Sequence, residues 1–208
     1  MSLEPAATRP STADRKAELL AVLASTAIAE RSAPVSLRQF AIRAGVSEPT
    51  LRHYFSDRQG VVIAIIGFFA DGARDFLERS ARSAGSVEDA VNSYGALATE
   101  GADTDIFAQA HAFALVESIH DPLVARAYLD RIIEPSLQAL EARLGSAAQT
   151  QGLTSDEIRH AAIALYSPVL IAVLHQRLLH GAEARPLDMA SFFNDLTALF
   201  SKGLGRTS

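Results

Sequence analysis

Residues 35–55 read VSLRQFAIRAGVSEPTLRHYF and place three arginines and a histidine around a single glycine. Ser36, followed three residues later by Gln39, is a capping-box pattern: each side chain satisfies a backbone N–H orphaned at a helix start. On a wheel of about 100° per residue, Leu37, Phe40, Ala41 and Ala44 share one face. Arg38, Gln39 and Arg43 point away from it. Gly45 then permits a left-handed backbone, Val46 can return to the core, and Ser47 stands where it would cap a second helix. Pro49 falls in the first turn of that helix, where its missing N–H costs nothing. A connection of about three residues suits two short helices crossing steeply, the helix-turn-helix geometry. In the second helix Leu51 points inward, flanked by Ser47, Tyr54 and Phe55, while Pro49 and His53 face outward with Thr50 and Arg52 beside them. A short, polar, partly basic face of this kind fits a DNA major groove, N-terminal end first.

Composition limits what surrounds this stretch. With 208 residues, 49% of them hydrophobic, the chain can bury one sizeable core, or one core with a small appended domain. The absence of cysteine excludes a disulfide framework and thiolate metal sites and agrees with a reducing, cytoplasmic setting. The longest apolar runs, VVIAIIGFFA (61–70) and AAIALYSPVLIAVL (161–174), fall short of the roughly 18–20 residues that span a bilayer, and the polar N-terminus lacks a signal core. Neither a membrane nor a targeting segment is expected. Residues 1–60 carry 8 Lys/Arg against 6 Asp/Glu, and the remainder 11 against 18. Affinity for nucleic acid in so acidic a chain must come from a focused patch near the N-terminus.

Helical periodicity recurs along the whole chain without convincing strand alternation, which predicts an all-α protein. A first helix carries Leu19, Val22, Leu23, Thr26 and Ala27 and ends near Ala33 and Pro34. One long helix follows Arg58 through GVVIAIIGFFADGARDFLERSARS. Further helices begin near Ser86, run from about 104 to 119, and start again at Asp121-Pro122 with a kink at Pro135. Thr154 and Glu157 form a second capping box before a helix that is apolar around most of its circumference, and residues 187–203 form a last apolar helix. Both need cover, and a second copy of the chain is the expected source. The boundaries are then an arm at 1–12, a helix-turn-helix domain at 13–58 and a larger helical domain at 59–208.

The stretch SLRQFAIRAGVSEPTLRHYFSDRQGVVIAII resembles the N-terminal DNA-binding domain of TetR-type transcriptional regulators, over about 45 residues. That family shows a short helix, a small-small-Gly-Val turn, a Ser-led recognition helix, an aromatic cluster ending in Phe, and a basic residue opening a long fourth helix. Two positions depart from the pattern: Arg52 stands where Tyr is usual, and Arg58 where Lys is usual. The resemblance implies a homodimeric, ligand-responsive regulator, most often a repressor, that binds a palindromic double-stranded DNA operator and dimerises through its last helices. Ser36, Arg38, Ser47, Pro49, Thr50, Arg52, His53, Tyr54 and Arg58 are then the candidate DNA contacts, with Arg58 on a phosphate. Phe107, His111, Phe113, Tyr128 and His175 are candidates for the wall of a pocket taking a small apolar or amphipathic effector. Tyr166, Leu170, Leu174, Phe193, Leu196 and Phe200 are candidates for the dimer interface.

Two other classes of function compete with this one. His111, Glu117 and His175 would need to converge in space to act as acid and base in a small all-α enzyme. The six histidines, however, form no HExxH pattern, and the chain contains no GxSxG elbow and no phosphate-binding glycine loop. A helical interaction adaptor is the remaining alternative. The chain reads as a non-enzyme, and no motif calls for a metal or a cofactor.

Overall fold

The computed structural model describes residues 11–29, 35–82, 85–102 and 106–204, and every regular element among them is helical. Three helices, α1 (Thr12–Ala29), α2 (Leu37–Arg43) and α3 (Glu48–Phe55), form the head. The larger part follows as α4 (Arg58–Gly72), α5 (Arg74–Ser80), α6 (Val87–Ala102), α7 (Ile106–Ser118), α8 (Pro122–Tyr128), α9 (Glu134–Gly145), α10 (Ser155–Arg177), α11 (Gly181–Ala184) and α12 (Met189–Leu204). The chain is thus all-α, a helix-turn-helix head on a larger helical domain. The expected arm falls almost wholly outside the described residues, as does the expected end of the first helix near residue 33.

Local chemistry at the helix ends matches the sequence. Ser36 accepts from the Gln39 amide while the Gln39 side chain accepts from the Ser36 amide, and Thr154 and Glu157 repeat the arrangement ahead of α10. Asp121 caps α8 by accepting from the amides of Leu123 and Val124, with Pro122 in the first turn. Gly45 has φ +65°, a left-handed conformation that ends α2 and lets Ser47 cap α3.

Two expectations change form. The long helix after Arg58 is interrupted at Ala73 (φ −86°, ψ 0°), whose amide bonds to both the Phe69 and Ala70 carbonyls in a tightened last turn. Gly72 precedes the break and weakens the helix there. The kink expected at Pro135 is a π-helical turn, Leu129–Ile133, closed by the Glu134 amide on the Leu129 carbonyl. Pro135 has no N–H to offer the Arg131 carbonyl four residues earlier, so the helix accommodates one extra residue just before it.

Two large apolar clusters organise the packing, with a small third formed by Ala108 and Val173. The first joins Leu23, Phe40, Leu51 and Phe55 of the head to Val62, Ile65, Ile66 and Phe69 of α4, and runs on to Ala110, Ala114 and Val124 in α7 and α8. The second packs Val91 and Tyr94 of α6, Leu140 and Leu144 of α9, Leu165 and Val169 of α10, and Phe193 and Leu196 of α12. Arg143 pins the end of α5 to α9 through the carbonyls of Ser80 (2.6 Å) and Arg79 (2.7 Å). Arg159 clamps α10 to α9 by binding Glu134 and Glu141. By length and composition alone, α10 at 23 residues could cross a bilayer, a property it shares with core helices. One face of it is buried in the chain, through Ala161, Ala162, Leu165, Tyr166, Val169, Ala172 and Val173, while Ile163 and Ile171 stay exposed.

Candidate nucleic-acid interface and ligand cavity

The head separates its residues cleanly by face. Leu37, Phe40, Ala41, Leu51 and Phe55 are buried, and Ser36, Arg38, Ser47, Pro49, Arg52 and His53 are exposed. Thr50 is half-buried and shares in the cap of α3: its amide donates to Ser47 Oγ (3.3 Å), and the two hydroxyls lie 2.9 Å apart. Tyr54 is half-buried edge-on to His53, with ring centroids 5.0 Å apart. No described residue forms an ion pair with Arg38 or Arg52. Pro49, Arg52 and His53 therefore share one exposed surface, polar at Arg52 and His53, with Arg38 exposed on the preceding helix.

Arg58, expected on a phosphate, departs from that pattern and is engaged within the chain. Its Nε donates to the Val35 carbonyl (2.7 Å) and its Nη2 to both oxygens of Glu117 (2.7 and 2.8 Å). The Glu117 side chain is only 5% exposed and Arg58 33%. A carboxylate so buried is costly without a cation, so the guanidinium turns inward to meet it. Gln59 beside it donates to both oxygens of Asp121 (2.9 and 2.7 Å). The start of α4 is thereby tied to the end of α7 and the start of α8.

Between the two apolar clusters lies a cavity of about 420 Å³. That is ample for a small molecule, since ligand pockets run from about 300 to 1,000 Å³. Its wall includes Phe68 and Phe69 of α4, Phe76 of α5, Phe107 and His111 of α7, and Val173 of α10. Ala24, Ser25 and Ile28 of α1 also line it, so a head helix touches the cavity directly. Of the five expected wall residues, Phe107 and His111 are therefore in place. Tyr128 sits one shell behind, with its hydroxyl 2.6 Å from His111 Nδ1. Phe113 packs edge-on to Phe69 at 6.2 Å, outside the lining. His175 is also outside it, beside Gln176.

His111 is 1% exposed, and burial pushes its pKa down to about 4, so the ring is neutral. A neutral imidazole has one donor and one acceptor. With Tyr128 at Nδ1 and the Tyr166 hydroxyl 3.3 Å from Nε2, both nitrogens have partners. Burial also holds the Tyr128 and Tyr166 phenols protonated. Glu117 is bound to Arg58 and His175 contacts Gln176, so the three groups considered for acid–base chemistry each have separate partners. Among the described residues no group of three His, Asp or Glu side chains is placed to hold a metal.

The candidate interface residues divide. Tyr166, Phe193 and Leu196 are buried within the chain, and Leu170, Leu174 and Phe200 are half-buried. Phe193 lies so tightly on Gly95 of α6 that a Cβ there would come within 2.6 Å of its ring. The cover expected from a second copy is, for these three side chains, supplied by α6, α9 and α10 of the same molecule. Ile163 (40% exposed), Ile171 (63%) and Leu199 (68%) are the large apolar groups left open on α10 and α12.

Sequence reasoning did not single out Arg131, Phe76, Tyr94 or the α1 residues of the cavity wall. Pro135 was the available signal for Arg131, because the π turn that it forces carries that residue.

No protein-family model and no curated protein matches the chain. Solved structures do. A candidate transcriptional regulator from Pseudomonas aeruginosa PAO1 superposes with a TM-score of 0.72 at 16% identity, covering 95% of this chain and 93% of that one. A fatty acid degradation regulator, FadR, from Bacillus halodurans gives 0.61 at 15% identity over 93% and 96%. A candidate TetR-family transcriptional regulator from Mesorhizobium loti MAFF303099 gives 0.65 at 16% identity over 95% and 98%. Over nearly its whole length the chain therefore has the fold of these three proteins, one of them described as a TetR-family regulator.

Proposed function

We propose that the protein is a cytoplasmic, ligand-responsive transcriptional regulator of the TetR type, a repressor that binds a palindromic operator as a homodimer and leaves it when a small effector fills the cavity. In this reading residues 1–12 form an arm, 13–58 the DNA-binding domain, and 59–208 the effector and dimerisation domain. The carrying observation is the free surface of α3: Pro49, Arg52 and His53 are exposed, Thr50 stands beside them, and Arg52 lacks an ion-pair partner among the described residues. Thr50, Arg52 and His53 read base edges, while Ser36, Ser47, Arg38 and Tyr54 contact the backbone. Arg58 has no part in DNA binding and ties the head to α7. The fold shared with three proteins described as regulators supports the assignment. Two copies meet through α10 and α12, with Ile163, Ile171 and Leu199 joining the half-buried Leu170, Leu174 and Phe200. Tyr166, Phe193 and Leu196 support that surface from behind. The cavity, walled by Phe107 and His111, takes the effector.

Selection of bound duplexes from a random pool, followed by titration at several salt concentrations, tests this reading. One palindromic sequence should be enriched. Arg52→Ala should weaken it by about 1–3 kcal/mol with relaxed base preference, and Arg38→Ala should weaken all duplexes alike and reduce the salt slope by about one contact. A pool without enrichment would remove the regulator reading.

A further inference from the structure

We infer that the cavity takes an amphipathic anion, a ligand with an apolar body and one carboxylate-type head held by Arg131; this rests on the cavity being the effector site. The polar groups of the wall already have partners or are neutral. Ser25 Oγ donates to the Ala21 carbonyl (3.0 Å) and Ser136 Oγ to the Ile132 carbonyl (2.7 Å). Both ring nitrogens of His111 face tyrosine hydroxyls, and the buried Tyr94 stays a neutral phenol. Arg131 is the exception. A guanidinium has five N–H donors, and here a single long contact is made, from Nη1 to the Ile63 carbonyl at 3.2 Å. No described carboxylate pairs with it.

The side chain is exposed, and its one backbone contact places the guanidinium over α4. Arg131 projects from the π turn, and its guanidinium lies across α4 where Gly67 leaves room: a Cβ at residue 67 would stand 2.7 Å from Nη1. Glycine inside a helix is unfavourable relative to alanine, and here it provides the seat for the arginine. Arg131 lines both the cavity and a surface depression beside it, shared with Asp71 and Arg74. It therefore stands at the mouth. Arg74 is bound to Asp71 (2.8 Å), so the mouth carries two cations and one anion and favours a single negative charge. The interior behind it, with Phe69, Phe76, Phe107 and Val173 in its wall, is mainly apolar, and its few polar groups are already partnered or neutral. A planar, bidentate donor at the rim of an apolar cavity selects a carboxylate head over a hydroxyl or an amine.

Calorimetric titration of the full chain with decanoate, decanol and decylamine tests the inference. Decanoate should bind at least about tenfold more tightly than decanol, in keeping with the added strength of a charge-assisted pair, and decylamine should bind most weakly. Arg131→Gln should bring decanoate to the level of decanol and leave decanol unchanged. Gly67→Ala keeps the charge but displaces the guanidinium, and should narrow the preference several-fold. Equal binding of decanoate and decanol to the native chain, no binding of either, or an unchanged ratio in both variants overturns the proposal. Operator binding is measured separately. A duplex still held at saturating decanoate would remove the effector role while leaving the anion site in place.

Discussion

The head and the larger domain use apolar residues in opposite ways. Between residues 35 and 58 the large buried side chains belong to the core that the head shares with α4, and the outer surface is open and mostly polar, with Ile42 (67% exposed) as the large apolar exception. From α4 onward the helices are richer in apolar residues, yet their packing leaves a cavity between two cores and several exposed aliphatic groups. In the proposed function the head therefore works through side chains that project, and the larger domain through a space that side chains leave. A projecting residue can be read from a helical wheel. An enclosed space depends on how several helices meet.

Paired substitutions put this difference to its sharpest test. Phe193→Ala removes a ring buried on Gly95, and unfolding by denaturant should show a loss of about 3–5 kcal/mol. Phe107→Ala enlarges a space that is already open, and should cost well under half as much while altering ligand binding. Equal losses would mean that the cavity wall is packed like the core, and that the contrast between the regions is false.

The buried histidine gives a pH test of the same wall. Its folded pKa of about 4 lies below the ordinary value of 6.5, so between those values the unfolded chain binds the additional proton. The contribution of this group to stability is complete above about pH 6.5 and falls as the pH drops toward 4, by up to roughly 3 kcal/mol. Thermal unfolding from pH 7 to 4 should show that decline, and His111→Gln should flatten it. An identical profile in the variant would show that other groups govern acid sensitivity.

The smallest expected effect concerns the junction between the regions. Arg58→Ala strands Glu117 and should destabilise by about 2–3 kcal/mol, less than for a fully buried pair because Arg58 is one-third exposed. Arg58→Ala combined with Glu117→Ala should recover part of the loss, because no buried charge is then left unpaired. A loss of DNA affinity in Arg58→Ala without any loss of stability would return this residue to the proposed DNA surface.

Arg58 also shows where reading the sequence stops. Its position at the opening of α4 beside α3 was legible, but its partner lies 59 residues away on α7, and no local periodicity announces that contact. The caps at Ser36, Ser47, Asp121 and Thr154, the turn at Gly45 and the inward face of Leu51 were all legible, because each involves neighbours within a few residues along the chain. Phe107 and His111 were found as cavity residues by their place in an apolar helix, whereas Phe113 and His175, equally plausible on that ground, lie outside the lining.

The sequence by itself determined the all-α class, the helix-turn-helix head and the polar face of α3. Capping, turn chemistry and the 3.6-residue period are local and act before any helix meets another. Tertiary structure alone decided that Arg58 closes on Glu117, that Phe193 and Leu196 find cover in their own chain, and that Arg131 stands at the mouth of a cavity. Those outcomes depend on which faces of separate helices come together, and the pattern along one helix states only that a face is apolar, without naming what will cover it.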